Sequence, residues 1–162
     1  MTNYEIRRVV PADLEDILNI YARARRFMAE NGNPTQWGDG YPAESLLRED
    51  MEQGKLYAVT RDGKIHGVFY FTLGEDPTYA RIEGGVWRSD TPYGTIHRIA
   101  GDGSGGILAA CLDFCGSRSG HLRIDTHHDN IPMQRAVEKY GFSRRGIIYV
   151  ADGSPRIAYD RI

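Results

Sequence analysis

Residues 95–116, TIHRIAGDGSGGILAACLDFCG, run from a β-type segment (95–100) through Gly101-Asp102-Gly103-Ser104-Gly105-Gly106 into an apolar helix that starts at Ile107. A strand, a glycine-rich loop and a helix in direct succession make a place to hold phosphate. Glycines let the main chain turn tightly and expose its amide hydrogens, and the free N–H groups of a first helical turn act as roughly half a positive charge. An anionic cofactor is therefore the leading expectation, with a ligand-free glycine connector as the plain alternative.

Gly101, Gly103 and Gly106 also spell G-x-G-x-x-G, and Asp125 follows at the spacing of a ribose-binding acid, which makes a nicotinamide dinucleotide a remote alternative. Too little chain remains after the loop for the further βα units that such a domain needs. The segment 95–100 also carries Thr95, His97 and Arg98, whereas a parallel strand covered on both faces is almost continuously apolar. No Lys-Ser or Lys-Thr closes the loop, so the Walker pattern is absent.

The 162 residues suit one domain over 1–162, large enough for a proper core. A net charge of -2 without a basic stripe argues against nucleic acid as a partner and leaves an amine substrate open. The start, MTNYEIRR, lacks a secretory pattern, and no apolar run approaches the roughly 18 residues of a membrane helix, so a cytoplasmic protein without a membrane partner is expected. The sequence is compatible with a homodimer and does not fix the oligomeric state. Cys111 and Cys115, four apart on one helix face, read as buried free thiols rather than a disulfide or a metal pair. His127, His128 and Asp129 lack a complete ligand set, so no metal is expected.

Alternation and punctuation give the order of elements. Strands are predicted over 4–9, 55–60, 64–73, 79–87, 93–100 and 121–126, helices from Pro11 to about Asn31, over 43–53, 107–117 and 131–140, and a closing hairpin turning at 151–154. Residues 33–42, NPTQWGDGYP, form a loop whose Trp37 and Tyr41 either touch a ligand or pin the loop to the core. Strand, helix, strand around the glycine loop implies one parallel pair in an otherwise antiparallel sheet.

TIHRIA, the glycine loop, LRIDTHHDN, PMQRAVEKYGF and GIIYVADGSPRIAYD together resemble the GNAT superfamily of acetyl-CoA-dependent N-acetyltransferases over nearly the whole chain. The resemblance implies an α+β fold: a mostly antiparallel central sheet with one splayed parallel strand pair, helices on both faces, and acetyl-CoA in the splay as co-substrate. Strands that part leave main-chain groups in need of partners, which an extended pantetheine amide can supply as a strand would. Ile99, Ala100 and Gly101 are the expected pantetheine contacts. Gly103, Ser104, Gly105 and Gly106 would hold the diphosphate, and Asn130 matches the family's asparagine near the thioester. Two departures stand out. Aligned on Gly106, the usual Gln or Arg of the family's loop is Gly101 and its first Gly is Ser104, so no side-chain cation is expected at the diphosphate, and Asp102 adds a negative charge there. The family's thiolate-protonating tyrosine falls on Val137, with Tyr140 three residues further along the same helix as the substitute acid.

Acetyl transfer needs the neutral amine, and deprotonating a lysine-like group near pH 7 costs roughly 4 to 5 kcal/mol. His97 is the first candidate base and Glu83 the second, the latter as base or as ammonium holder; a satisfied sheet histidine and a solvated carboxylate are the plain alternatives. A main-chain N–H near Ile99 or Gly101 would polarise the thioester. Trp37, Tyr41, Glu83 and Trp87 are the candidate acceptor pocket, for a small-molecule or peptide amine. Neither cysteine nor any serine is visibly paired with a base, so direct attack is expected. A non-catalytic CoA-binding module of the same fold is the alternative.

Overall fold

A computed structural model describes residues 3–162. Its sheet has the order β1-β2-β3-β4-β5-β7-β6, formed by β1 (Glu5–Arg8), β2 (Leu56–Arg61), β3 (Lys64–Leu73), β4 (Gly94–Gly101), β5 (Leu122–Thr126), β6 (Ser143–Tyr149) and β7 (Pro155–Arg161). All neighbours are antiparallel except β4 and β5. The helices are α1 (Leu14–Glu30), α2 (Glu44–Glu52), α3 (Ile107–Gly116) and α4 (Ile131–Lys139).

Period-two alternation sorts the strand side chains onto two faces. Leu56, Ala58 and Val68 pack under Ile17, Ile20 and Tyr21 of α1 and Leu47 of α2. Val59, Phe69, Phe71, Ile96, Leu122 and Ile124 meet Ala110, Cys111, Leu112 and Cys115 of α3 and Val137 of α4 on the opposite face. Both cysteines are buried free thiols. Gly67 and Gly101 face each other across β3 and β4, and a Cβ at either would stand 2.6 Å and 3.2 Å from Ile107. Glycine at both positions thus lets the start of α3 settle onto the sheet.

The expected strand over 79–87 does not form, and β3 pairs directly with β4. Residues 74–93 make a strap instead, with a 3-10 turn at Pro77–Tyr79 and a single antiparallel bridge between Glu83 and Ile147. Pro77 and the Gly84-Gly85 step break any longer ladder. Tyr79 and Trp87 of the strap cover Ile148 and Ala158. Arg88 donates from main chain and guanidinium to Asp160, which is fully buried. Gly85 and Gly146 bring the two backbones together so closely that a Cβ at Gly146 would lie 2.6 Å from the Glu83 carbonyl. Among the described residues no helix is long and apolar enough to cross a membrane.

Candidate active site

β4 and β5 pair only at Gly94–Leu122 and Thr95–Arg123 and then part. From Ile96 onward the β5-facing edge of β4 has no strand beside it. A cavity of about 590 Å³ opens there, lined by Ile99, Thr126 and Asn130, by Trp37 and Tyr41, and by the β6–β7 turn. The Thr126 hydroxyl in its wall is buried without a hydrogen-bond partner. Unpaired strand edges and an orphaned hydroxyl fit a ligand that carries amides, as the pantetheine arm does.

Opposite β3, the register slips between Val68 and Tyr70, leaving Arg98 and Ile99 in a bulge with Arg98 at φ 52°. That conformation costs a non-glycine residue about 1 kcal/mol or more. It is held by Tyr21, which donates to the Arg98 carbonyl at 2.7 Å, and by a guanidinium that lies over Tyr70 and donates to Asp50 and Tyr41. The bulge fixes the direction in which the neighbouring side chains point.

His97, one residue before the bulge, lines the cavity. Its Nε2 lies 2.7 Å from Asp76 Oδ2. Burial pushes the Asp76 carboxyl up, but bonds from His97 and Thr78 outweigh it and bring it down to about 2. Asp76 is thus an acceptor only, so the proton between them resides on Nε2. Nδ1 lies 3.7 Å from Asp125 Oδ2, too far for a hydrogen bond. Asp125 accepts from Tyr79 at 2.7 Å. A ribose-binding role for Asp125 does not fit this position.

The glycine loop opens α3 as expected, with Gly103 at φ 92° and Gly106 at φ 85°. Gly103, Gly105 and Gly106 are exposed, but the Ser104 amide is spent on Asp102 Oδ1 at 2.9 Å and cannot serve a phosphate. Asp102 turns back into the loop and pairs with His66 Nδ1 at 2.8 Å. Burial raises its carboxyl, yet Ser104 and His66 bring it below the usual range. A cation also stands at the loop, contrary to expectation: Arg23 of α1 lies over Gly103, its Nη2 2.6 Å from where a Cβ would sit. Among the described residues Arg23 has no carboxylate within ion-pair distance.

Asn130 caps α4 through Met133 N–H and donates to Gln36 Oε1 at 3.0 Å. Gln36 in turn accepts from Arg156 on its main-chain oxygen. Trp37 stands edge-on to Tyr21 and tilts against Tyr41. His97, Ile99, Asn130, Trp37 and Tyr41 are thus brought together around one opening. Ala100 and Gly101 do not line it, since Ala100 is buried in the core under α1 and Gly101 lies against Ile107, and three further expected residues stand elsewhere. Glu83 sits at the β6 edge, where Tyr149 and Arg81 hold its carboxyl below the usual range, the reverse of a base. Trp87 packs on Tyr79 beneath the Arg123 guanidinium, donating to the Tyr79 carbonyl. Tyr140 ends α4 outside the cavity, half-exposed, with its carbonyl on Arg161.

His127 accepts the Asp129 amide on Nδ1 and faces Thr35 with Nε2, and burial lowers its pKa. Its ring lies stacked on His128. The ligand atoms of His127, His128 and Asp129 lie within 4.8 Å of one another, with the His127 Nδ1 taken up by the Asp129 amide.

No family model and no curated protein matches the sequence. A GNAT-family acetyltransferase from Streptococcus agalactiae superposes with a TM-score of 0.87 at 29% identity, covering 98% of this chain and 95% of that one. The chain has the GNAT fold. A GNAT-family acetyltransferase from Listeria monocytogenes matches with a TM-score of 0.71 at 18% identity over 98% and 94% of the two chains. The ribosomal-protein-S18-alanine N-acetyltransferase of Escherichia coli matches with 0.59 at 17% over 98% and 92%, which shows a shared GNAT fold alone.

Asp76, Asp125, Gln36, Arg23 and Arg156 were not singled out for these positions by sequence reasoning. Asp76 lies in the connection just before the residues 79–87 misread as a strand, and Arg23 belongs to a helix that carries Arg23, Arg25 and Arg26 without distinction.

Proposed function

We propose that the protein transfers the acetyl group of acetyl-CoA to a primary amine by direct attack. The observation that carries this reading is the opening between β4 and β5, with His97 at its wall and its Nε2 on Asp76, on the fold of known acetyltransferases. Acetyl-CoA, when bound, supplies an acetyl group whose C–S bond breaks as the amine nitrogen bonds to the carbonyl carbon, the sulfur leaving with the electron pair.

The chain's own residues do the rest. Asp125 and His97 Nδ1 together receive the substrate ammonium, one as counter-charge and the other as acceptor of the proton that must leave. Asp76 keeps the Nε2–H tautomer and the ring orientation, in the manner of the third group of a nucleophile-activating set. The main-chain N–H at Ile99, in the bulge, is our candidate for polarising the acetyl carbonyl. Gly103, Gly105 and Gly106 and the start of α3 take the diphosphate, and Arg23 supplies the positive charge that the loop itself lacks.

Thiol release from acetyl-CoA against a broad amine panel tests the reading. Stabilisation by CoA with no thiol release under any acceptor would replace it with a CoA-binding module, and stabilisation by NAD in place of CoA would revive a dinucleotide site.

A further inference from the structure

Arg156, at the start of β7, is only 7% exposed and lines the cavity between β4 and β5. Its Nη1 donates to the Pro155 carbonyl at 2.9 Å and its Nη2 to the Gln36 carbonyl at 3.3 Å. Carbonyls satisfy N–H groups but do not neutralise a charge. Among the described residues no carboxylate lies within ion-pair distance of this guanidinium, whereas Arg98 in the same wall has Asp50. Two acids line the same cavity, and neither forms an ion pair with Arg156, although Asp152 is near enough to feel its charge. Asp125 serves Tyr79, and Asp152 accepts from the Ser154 amide at 2.9 Å and from its hydroxyl. A buried guanidinium without a directly paired counter-ion is costly, since buried charges in proteins are otherwise paired.

We propose that Arg156 receives a carboxylate of the acceptor, so that the preferred substrates are small molecules carrying both an amine and a carboxylate. The proposal rests on the reading of this cavity as the acceptor site. Arg156 is held by Gln36, which also takes the Asn130 amide, so the α1–α2 loop, the start of α4 and the β6–β7 hairpin converge on it. A planar fork fixed in this way suits a carboxylate in two-point contact and leaves an uncharged chain nothing to pair with. A cavity of about 590 Å³ has the size of a small-molecule site. Together, His97 with Asp125 and Arg156 read opposite charges on one acceptor.

The test uses the full chain and matched pairs: α- and ω-amino acids, each beside the amine left by its decarboxylation. The native protein should favour the carboxylated member by about a hundredfold in kcat/KM. In Arg156→Gln that ratio should collapse towards one, mainly through KM, and Arg156→Lys should fall between. Thermal stabilisation by the same amino acids without acetyl-CoA gives a readout independent of turnover, expected in the native chain and lost in Arg156→Gln. Equal use of both members by the native chain, or an unchanged ratio in a folded Arg156→Gln, would overturn the proposal. If no amine releases thiol, acetyl transfer falls; stabilisation that depends on Arg156 would still uphold the carboxylate site, and its absence from every amino acid would remove that too.

Discussion

The two ends of the proposed binding path, the glycine loop and the cavity between β4 and β5, are built from different materials. At the glycine loop, the proposed recognition rests on main-chain amides and the first turn of α3, placed by the Gly67–Gly101 pair beneath Ile107. At the far end, side chains from segments remote in sequence meet: Gln36, Asp76, His97, Asp125 and Arg156. Main-chain geometry comes with the fold, so the first end can serve any chain that shares it. Side-chain chemistry does not, and the second end is where this protein becomes particular.

The sharpest way to break that contrast is at the far end. His97→Ala should lower the turnover number by about two to four powers of ten, with CoA affinity from calorimetry little changed. A loss of CoA affinity of similar size would show that the two ends are not separable. Asp76→Asn should lower turnover less, by about tenfold or more, because the base remains while its tautomer loosens.

Gly146→Ala comes next. Its methyl group would press on the Glu83 carbonyl, costing about 1 to 3 kcal/mol in urea unfolding and freeing the strap that carries Asp76. Asp76 also sets a pH dependence. Its folded pKa, about 2, lies below the ordinary 3.8, so its stabilisation is complete above about pH 4 and is lost as pH falls towards 2. The native chain should therefore lose about 2 kcal/mol in that window that Asp76→Asn does not lose, read as converging urea midpoints. The smallest effect is expected at the loop: Arg23→Ala should weaken CoA by about tenfold or less, more at low salt than at high, and leave the choice of amine untouched.

Legibility in the sequence follows the same division. Period-two runs, the Asp62-Gly63 turn and the strand-loop-helix at 95–116 carry local signals, and the observed strands and helices stand where those signals are strong. Residues 79–87 misled because Tyr79, Ile82 and Trp87 are strand-favouring side chains that here face the sheet as a cover. Glu83 was tied to that misreading and moved with it. Asp76 and Arg156 have no local mark; what distinguishes them is an unusual neighbour or the lack of one, and that exists only once the chain has closed. Arg23 differs from Arg26 in the same way, by standing above Gly103.

One further consequence is optical. The chain has two tryptophans, and the fold has sent them to opposite fates: Trp37 borders the opening between Tyr21 and Tyr41, whereas Trp87 is clamped between Tyr79 and the Arg123 guanidinium. Emission from the first should follow the filling of the opening while the second stays constant as an internal standard. The protein thus carries its own gauge of occupancy, readable with no label attached.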